Sequence, residues 1–385
     1  MPVSAALALA ALSLAIWLYL LLGRGFFWLP RVAPPAPLPE CWPAVVAIVP
    51  ARNEAAVIGE TLASLLQQDY PGHFSVVLVD DHSDDGTAEM ARRAAETLGK
   101  ADRFTVLGAR ALPPRWTGKL WALAEGVRQV EERGEAPELL LFTDADIAHH
   151  RSNLRELVAR LEGGRRDLVS LMVLLRCQSR AERFLIPAFV FFFAMLYPFA
   201  WSNDPRRATA AAAGGCVLLR RSAYLGIGGF AAIKDALIDD CALARAVKSQ
   251  GGGIWLGLTR QVRSLRPYPA IADIWRMVAR TAYAQLGYSP VLLAGTVLGL
   301  AATYLAPVGL LFAGGRAAWL AGAAWAAMTL AYLPMVRFYG ISPLWAPLLP
   351  GTALVYLAAT IDSARRHWRG VGGEWKGRAQ WRSQS

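Results

Sequence analysis

Lysine is scarce in this 385-residue chain: five lysines stand among 40 basic residues, against 29 acidic ones, for a net charge of +11. So strong a preference for arginine reads as compositional bias, and the arginine count alone argues for no polyanionic partner. No helix-turn-helix, zinc-finger or aromatic RNA-binding pattern accompanies the charge, which speaks against nucleic acid. Cysteine is also sparse. Cys41, Cys177, Cys216 and Cys241 lie far apart with no CxxC spacing, which excludes a thiolate zinc site or a dithiol redox pair and fits a reducing cytosol. No GxxxxGKS/T loop is present to grip phosphates as P-loop hydrolases do, and no GxGxxG follows the first strand, which weakens a dinucleotide oxidoreductase. No internal repeat is evident.

Between Met1 and Gly23 there is no charged side chain at all. The run from Val3 to Leu22 reaches the roughly 20 apolar residues that cross a bilayer. Its basic residues, Arg24 and Arg31, come after the apolar run, the reverse of a signal peptide, so the segment predicts an uncleaved anchor with its N-terminus outside. Three further apolar stretches follow late in the chain: Pro290 to Gly314, Ala317 to Val336, and Pro343 to Ile361. Three full crossings there would carry the very basic tail, RRHWRGVGGEWKGRAQWR, to the outside, against the positive-inside tendency. The stretch broken by Pro347 and the pair Pro350-Gly351 is therefore expected to be re-entrant or interfacial. A basic segment beside a span meets anionic lipid headgroups.

The remaining divisions follow composition: an anchor over 1–24, a proline-rich extended linker over 25–43, an α/β domain over 44–265, an interfacial connector over 266–289, a membrane region over 290–362 and the basic tail over 363–385. Within the domain, short apolar runs alternate with helical patterns. AVVAIVPA, FSVVLVDD, FTVLGA and ELLLFTDAD read as strands, and AVIGETLASLLQQ, DDGTAEMARRAAETLG and KLWALAEGVRQVEE as the helices between them. That order predicts an α/β fold, a mostly parallel sheet with helices on both faces. The aromatic run Phe184–Trp201 fits core or an interfacial element.

In such sheets ligands sit beyond the carboxyl ends of the strands. Acids gather there: Glu54 after the first strand, Asp80 and Asp81 after the second, Asp144 and Asp146 after the fourth. In an extended chain, residues two apart point the same way, so Asp144 and Asp146 lean toward one point. Their oxygens suit Mg²⁺ or Mn²⁺, which takes one or two protein carboxylates and completes its shell with substrate phosphates; a solvated strand end is the alternative. Asp80 and Asp81 either form a turn that caps the next helix, or one of them reads a base or ribose. Asp239 and Asp240 open a helix, where an acid serves as a cap or, as a pair, one serves as a general base for a hydroxyl. His82, His149 and His150 read as surface polar residues, since an oxygen-ligand site has no call for imidazole.

Taken in order, PARNEAAVIGETLASLLQQDYP, VLVDDHSDDGT, GKLWALAEG, TDAD, AAGGCVLLRRSAYLGIGGF and IDDCALARAVKSQGGGIWLG resemble the motifs of family 2 inverting glycosyltransferases of GT-A fold, over about Val45 to Trp255. PPRWTGKLWA and the membrane layout are more particularly similar to hopanoid-biosynthesis-associated members, and more distantly to ceramide and carotenoid glucosyltransferases. The resemblance implies that Asp81 contacts the nucleotide base, that Asp146 with Asp144 beside it binds the divalent metal on the donor diphosphate, and that Asp240 is the catalytic base with Asp239 as its neighbour. It places Ala51, Glu54 and Lys119 in the nucleotide pocket, Gly214 and Gly215 at the acceptor-side loop, and Arg276 and Arg280 near the leaving diphosphate. Two departures stand out: Asp239-Asp240 where the family often has Glu-Asp, and no Q/RxxRW motif. The expectation is an inner-membrane, metal-dependent enzyme, its domain cytoplasmic, moving a sugar from a nucleotide donor, a UDP-sugar, to a lipid acceptor. The alternatives are a processive polysaccharide synthase, which the missing Q/RxxRW disfavours, and a non-catalytic membrane protein with an inert nucleotide fold.

Overall fold

The computed structural model describes residues 3–371, with the backbone of Glu374–Trp375 and Arg378–Ala379 beyond them. The chain divides into two compact units. One comprises Arg31–Arg176, Ser202–Arg266 and Gly373–Ser385, the other Met1–Pro30, Cys177–Trp201 and Pro267–Gly372.

The first unit is built on an eight-stranded sheet: β1 (Val45–Ala51), β2 (Phe74–Asp80), β3 (Phe104–Gly108), β4 (Leu139–Phe142), β5 (Ile147–His149), β6 (Leu168–Leu174), β7 (Val217–Arg220) and β8 (Ile254–Ser264). Their order across the sheet is β3-β2-β1-β4-β7-β6-β8-β5. The half from β3 to β4 is parallel, while β7 runs antiparallel to both β4 and β6, and β5 antiparallel to β8. Every residue of β1 is buried, as expected of a central strand covered on both faces. Val45, Ala47, Val49 and Ala51 face one core layer, with Ile58, Leu62 and Leu65 of the helix Ala55–Leu66. Val46 and Ile48 face the other, with Leu120, Leu123 and Val127 of the helix Gly118–Glu132. Each fully buried Leu or Ile contributes about 1.5–3 kcal/mol of burial. Gly126 lets that second helix close on the sheet, since a Cβ there would lie 2.4 Å from Ile48 Cγ2.

Register brings the strand ends level. Ala51 of β1 is opposite Asp80 of β2, and Ile48 opposite Phe142 of β4, so the turns after β1, β2 and β4 leave from one edge.

The second unit holds four helical segments long and apolar enough to cross a membrane: Val3–Leu22, Pro290–Ala313, Gly315–Phe338 and Pro343–Trp368. The aromatic run 184–201 lies in this unit, mostly within the helix Arg180–Leu196, which a Ser179/Glu182 capping box starts. In the second segment the α-helix gives way to a π-turn over Ala301–Leu305. Pro307 has no N–H to offer back to the carbonyl of Thr303. Trp17 Nε1 donates to that carbonyl at 2.8 Å, and Ser13 Oγ to Ala302 O at 2.7 Å, so the first helix satisfies what the turn leaves open. The fourth segment opens with a 3₁₀ stretch, Pro343–Leu348, before the α-helix Leu349–Trp368.

Candidate active site

The turns after β1 and β2 are built together. Asp81 N–H donates to Ala51 O at 2.8 Å, and Asn53 N–H to Ser83 Oγ at 3.0 Å. The acids of VDDHSDDGT divide their work. Asp80 accepts from the Ser83 hydroxyl, and Asp85 accepts from the N–H groups of Ala55 and Thr87 at the starts of two helices. The Asp81 side chain is fully buried, with Arg52 Nη1 3.8 Å from Oδ2 and His82 Nδ1 3.4 Å from Oδ1.

Lys119 lies in the first turn of the helix Gly118–Glu132, capped by Thr117. Its ammonium is 2.8 Å from Asp144 Oδ1 and 3.4 Å from Asp239 Oδ2, so one cation ties the turn after β4 to the helix Asp239–Ser249. Burial alone would lower the Lys119 pKa, but Asp144 and Asp239 outweigh it and raise it, so the ammonium stays charged. Burial pushes the Asp144 carboxyl up, against the pull of Lys119. Asp240 Oδ2 accepts from Gly214 N–H at 2.8 Å and Oδ1 from Cys241 N–H at 2.7 Å. Burial first, then the neighbouring Asp239, raises its pKa to about 6, with Lys119 and the two N–H groups opposing. A side chain at 214 would put its Cβ 3.0 Å from Lys119 Nζ and 3.5 Å from Asp240 Oδ2, so glycine is what admits both groups. An open pocket is lined by Lys119, Thr143, Asp144, Gly214, Asp239 and Asp240.

Asp146 lies next to this cluster. Its Oδ2 receives Arg266 Nε at 2.6 Å, and Arg266 Nη2 reaches Glu54 Oε1 at 2.6 Å.

The sequence of this unit has counterparts. Residues 46–228 match the family model described as "Glycosyl transferase family 2". The chain carries a glycosyltransferase family 2 domain. Curated relatives of the domain include an N-acetylglucosaminyltransferase of Rhizobium leguminosarum bv. viciae, 30% identical over 48% of this chain and 41% of that protein. A 4,4'-diaponeurosporenoate glycosyltransferase of Staphylococcus aureus (strain USA300) is 32% identical over 29% of this chain and 26% of the relative. The chain thus spans less than half the length of these relatives. Among solved structures, the mannosyltransferase PcManGT from Pyrobaculum calidifontis, in complex with GDP-Man and Mn²⁺, superposes with a TM-score of 0.56. It is 23% identical and covers 96% of this chain and 99% of that one, which shows the fold, a GT-A type Rossmann-like sheet.

Within the first unit, the structure gathers Lys119, Asp144, Asp239, Asp240 and Gly214 into one cluster, with Asp146 and Glu54 held by Arg266 beside it. Ala51 and Asp81 share the same sheet edge. Gly215 O accepts from Thr143 Oγ1 at 2.8 Å. Arg276 and Arg280 belong to the other unit, on the helix Ile271–Gln285, where Arg276 pairs with Asp273 at 2.6 Å. His82 and His150 are exposed, as a surface reading expects, but His149 is buried and corrects that reading. β5 turns its ring inward, where Nε2 meets Thr143 Oγ1 at 2.9 Å and Nδ1 meets Asn153 Nδ2 at 3.1 Å. Burial lowers its pKa to about 3, so it is a neutral structural group.

The family 2 domain offers hard oxygen donors in Asp144 and Asp146, each already matched by a cation, and that donor set fits Mg²⁺ or Mn²⁺. Among the described residues no three His, Cys, Asp or Glu side chains converge to hold a metal ion by themselves. Arg266 escaped sequence reasoning. It lies in SLRPYP after a long strand, and in an arginine-rich chain nothing local distinguishes it.

Proposed function

We propose that this chain is a membrane-bound, inverting glycosyltransferase. It moves one sugar from a nucleotide-diphosphate donor, a UDP-sugar, to a lipid acceptor of the polycyclic hopanoid class. The observation that carries the reading is Asp240: a carboxylate aimed by two backbone N–H groups, set beside a lysine that also holds Asp144, and with a pKa near 6. A base of that strength at neutral pH is mostly ionised yet still able to take a proton from a hydroxyl.

The roles follow from position. Asp81, buried at the end of β2, accepts from a base edge. Glu54 and Ala51 line the turn beside it. Asp144 and Asp146 would hold the divalent metal, which when bound supplies positive charge to the departing nucleoside diphosphate. Lys119 bridges Asp144 and Asp239 and offsets part of their charge. Asp240 removes the acceptor hydroxyl's proton, and attack from the face opposite the leaving group inverts the anomeric carbon. Gly214 and Gly215 leave backbone, not side chain, at the acceptor side. Arg276 and Arg280, on a helix of the apolar unit, are candidates for steadying the diphosphate.

An apolar acceptor calls for access from the bilayer, and the four apolar segments support a membrane enzyme with its domain on the cytoplasmic side. Trp325, midway along Gly315–Phe338, donates through Nε1 to Pro347 O at 3.0 Å. The turn that opens the fourth segment therefore reaches the middle of the third. That supports a re-entrant element whose helix returns to the face it came from. It also keeps the basic tail inside.

The test is release of nucleoside diphosphate by membranes containing the protein, supplied with Mn²⁺, a UDP-sugar and a hopanoid alcohol, with GDP-mannose as a second donor arm. Asp240→Asn should lower turnover by about 10²–10⁴-fold. Unchanged turnover in that variant rejects the assignment of the base. No nucleotide release from either donor rejects the transferase reading.

A further inference from the structure

Arg266 is a strong cation of the site that the roles above leave without a task. It comes off the end of β8, where Leu265 N–H donates to Asp146 O at 2.7 Å and anchors the backbone beside the turn after β4. Its guanidinium spans two carboxylates on different turns: Nε to Asp146 Oδ2 and Nη2 to Glu54 Oε1, both at 2.6 Å. These are the short contacts of charge-assisted hydrogen bonds. The Glu54 and Asp146 side chains are nearly buried, at 11% and 10% exposure, and Arg266 is the more exposed partner at 31%. Release of Arg266 alone would take away the cation that Glu54 and Asp146 share.

We propose that Arg266 is the resident counter-ion of the metal carboxylates: its guanidinium and a divalent cation compete for the Asp146 carboxylate, and loading the metal requires Arg266 to let go. The inference rests on the reading of Asp146 as a metal ligand and adds to it an order of events. A Mg²⁺ or Mn²⁺ ion binds carboxylate oxygen at about 2.1 Å. An oxygen already engaged by Nε at 2.6 Å has that direction filled, and a second cation there is repelled by the first. Metal binding to the protein alone is thus opposed, while a donor diphosphate brings anionic charge that can draw the metal in and accept the displaced guanidinium's field. In the free protein Arg266 offsets one of the two negative charges at this point, and the nucleotide and metal enter together.

Titration of Mn²⁺ into the full-length protein in detergent, without nucleotide, followed by the EPR signal of free Mn²⁺, tests this. Arg266→Gln should bind Mn²⁺ at least ten-fold more tightly than the unaltered protein. It should also melt earlier in EDTA and regain more on adding Mn²⁺. Arg266→Lys keeps the charge but cannot span both acids, and should fall between the two; it also stands in if Arg266→Gln does not fold. Asp146→Asn should lose the Mn²⁺ binding of Arg266→Gln when the two changes are combined. Equal or weaker Mn²⁺ binding by folded Arg266→Gln overturns the competition while leaving the metal site intact. So does an Arg266→Lys protein that matches the unaltered one while Arg266→Gln gains, because charge without contact then accounts for the effect. Mn²⁺ binding that survives Asp146→Asn, or is absent from every protein, removes the metal reading itself.

Discussion

Replacing Lys119 by methionine keeps the length and apolar body of the side chain and deletes its charge. The ammonium lies 2.8 Å from Asp144 and 3.4 Å from Asp239, in a site where the three side chains are 19%, 35% and 20% exposed. At an effective dielectric of about 20, unit charges 2.8 Å apart attract by roughly 6 kcal/mol. Desolvation offsets much of this, and partial exposure screens more, so the expected loss is about 2–4 kcal/mol. The deficit has a pH signature. The Asp240 pKa of about 6 lies above its unfolded value of about 3.9, so this group makes the native state lose stability as pH rises from about 4 to 6. Lys119 holds that pKa down, and its removal extends the window of loss to higher pH. Thermal melts of both proteins across pH 5 to 8.5 should show the gap in Tm widening with pH. The acid limb of the pH–rate profile, near pH 6 in the unaltered protein, should move upward in Lys119→Met. A gap that is constant with pH, or a limb that stays in place, would refute the view that Lys119 governs the charge of this cluster.

Three further outcomes are expected. Gly214→Ala should cut turnover by about ten-fold or more with little change in donor affinity, because its Cβ would crowd Lys119 Nζ at 3.0 Å and disturb the N–H that aims Asp240; steady-state kinetics checks the split. Trp17→Phe removes the donor to Thr303 O in the π-turn and should destabilise the apolar unit by about 1–3 kcal/mol, read as an earlier melt in detergent. A cysteine introduced at Arg369, in a protein cleared of its native exposed cysteine, should be labelled by a membrane-impermeant thiol reagent only from the cytoplasmic face; labelling from outside would make the fourth segment a full crossing.

The strands β1, β2 and β4 were legible because they are buried on both faces and therefore read as continuous apolar runs, each followed by acids at the sheet edge. The second half of the sheet was not. Val217–Arg220 is four residues long and pairs antiparallel between β4 and β6, a placement set by long-range partners, not by any local pattern. The same divide runs through the site. Asp144 and Asp146 announce themselves by their spacing after an apolar strand, and Asp239-Asp240 by opening a helix. That Asp80 and Asp85 are the acids of VDDHSDDGT engaged by Ser83 and Thr87 is decided only by the folded turn. His149 looked like a polar surface residue because its partners, Thr143 and Asn153, meet it only after β5 turns its ring inward.

That buried histidine belongs to a small knot. Thr143 Oγ1 touches His149 Nε2 and donates to Gly215 O, while Asn153 holds the far side of the ring. One hydroxyl therefore welds the TDAD turn to the pair Gly214-Gly215. A loop grafted over residues 208–216 would have to bring Thr143, His149 and Asn153 with it, since a new loop on the old hydroxyl would shift the turn that carries Asp144 and Asp146.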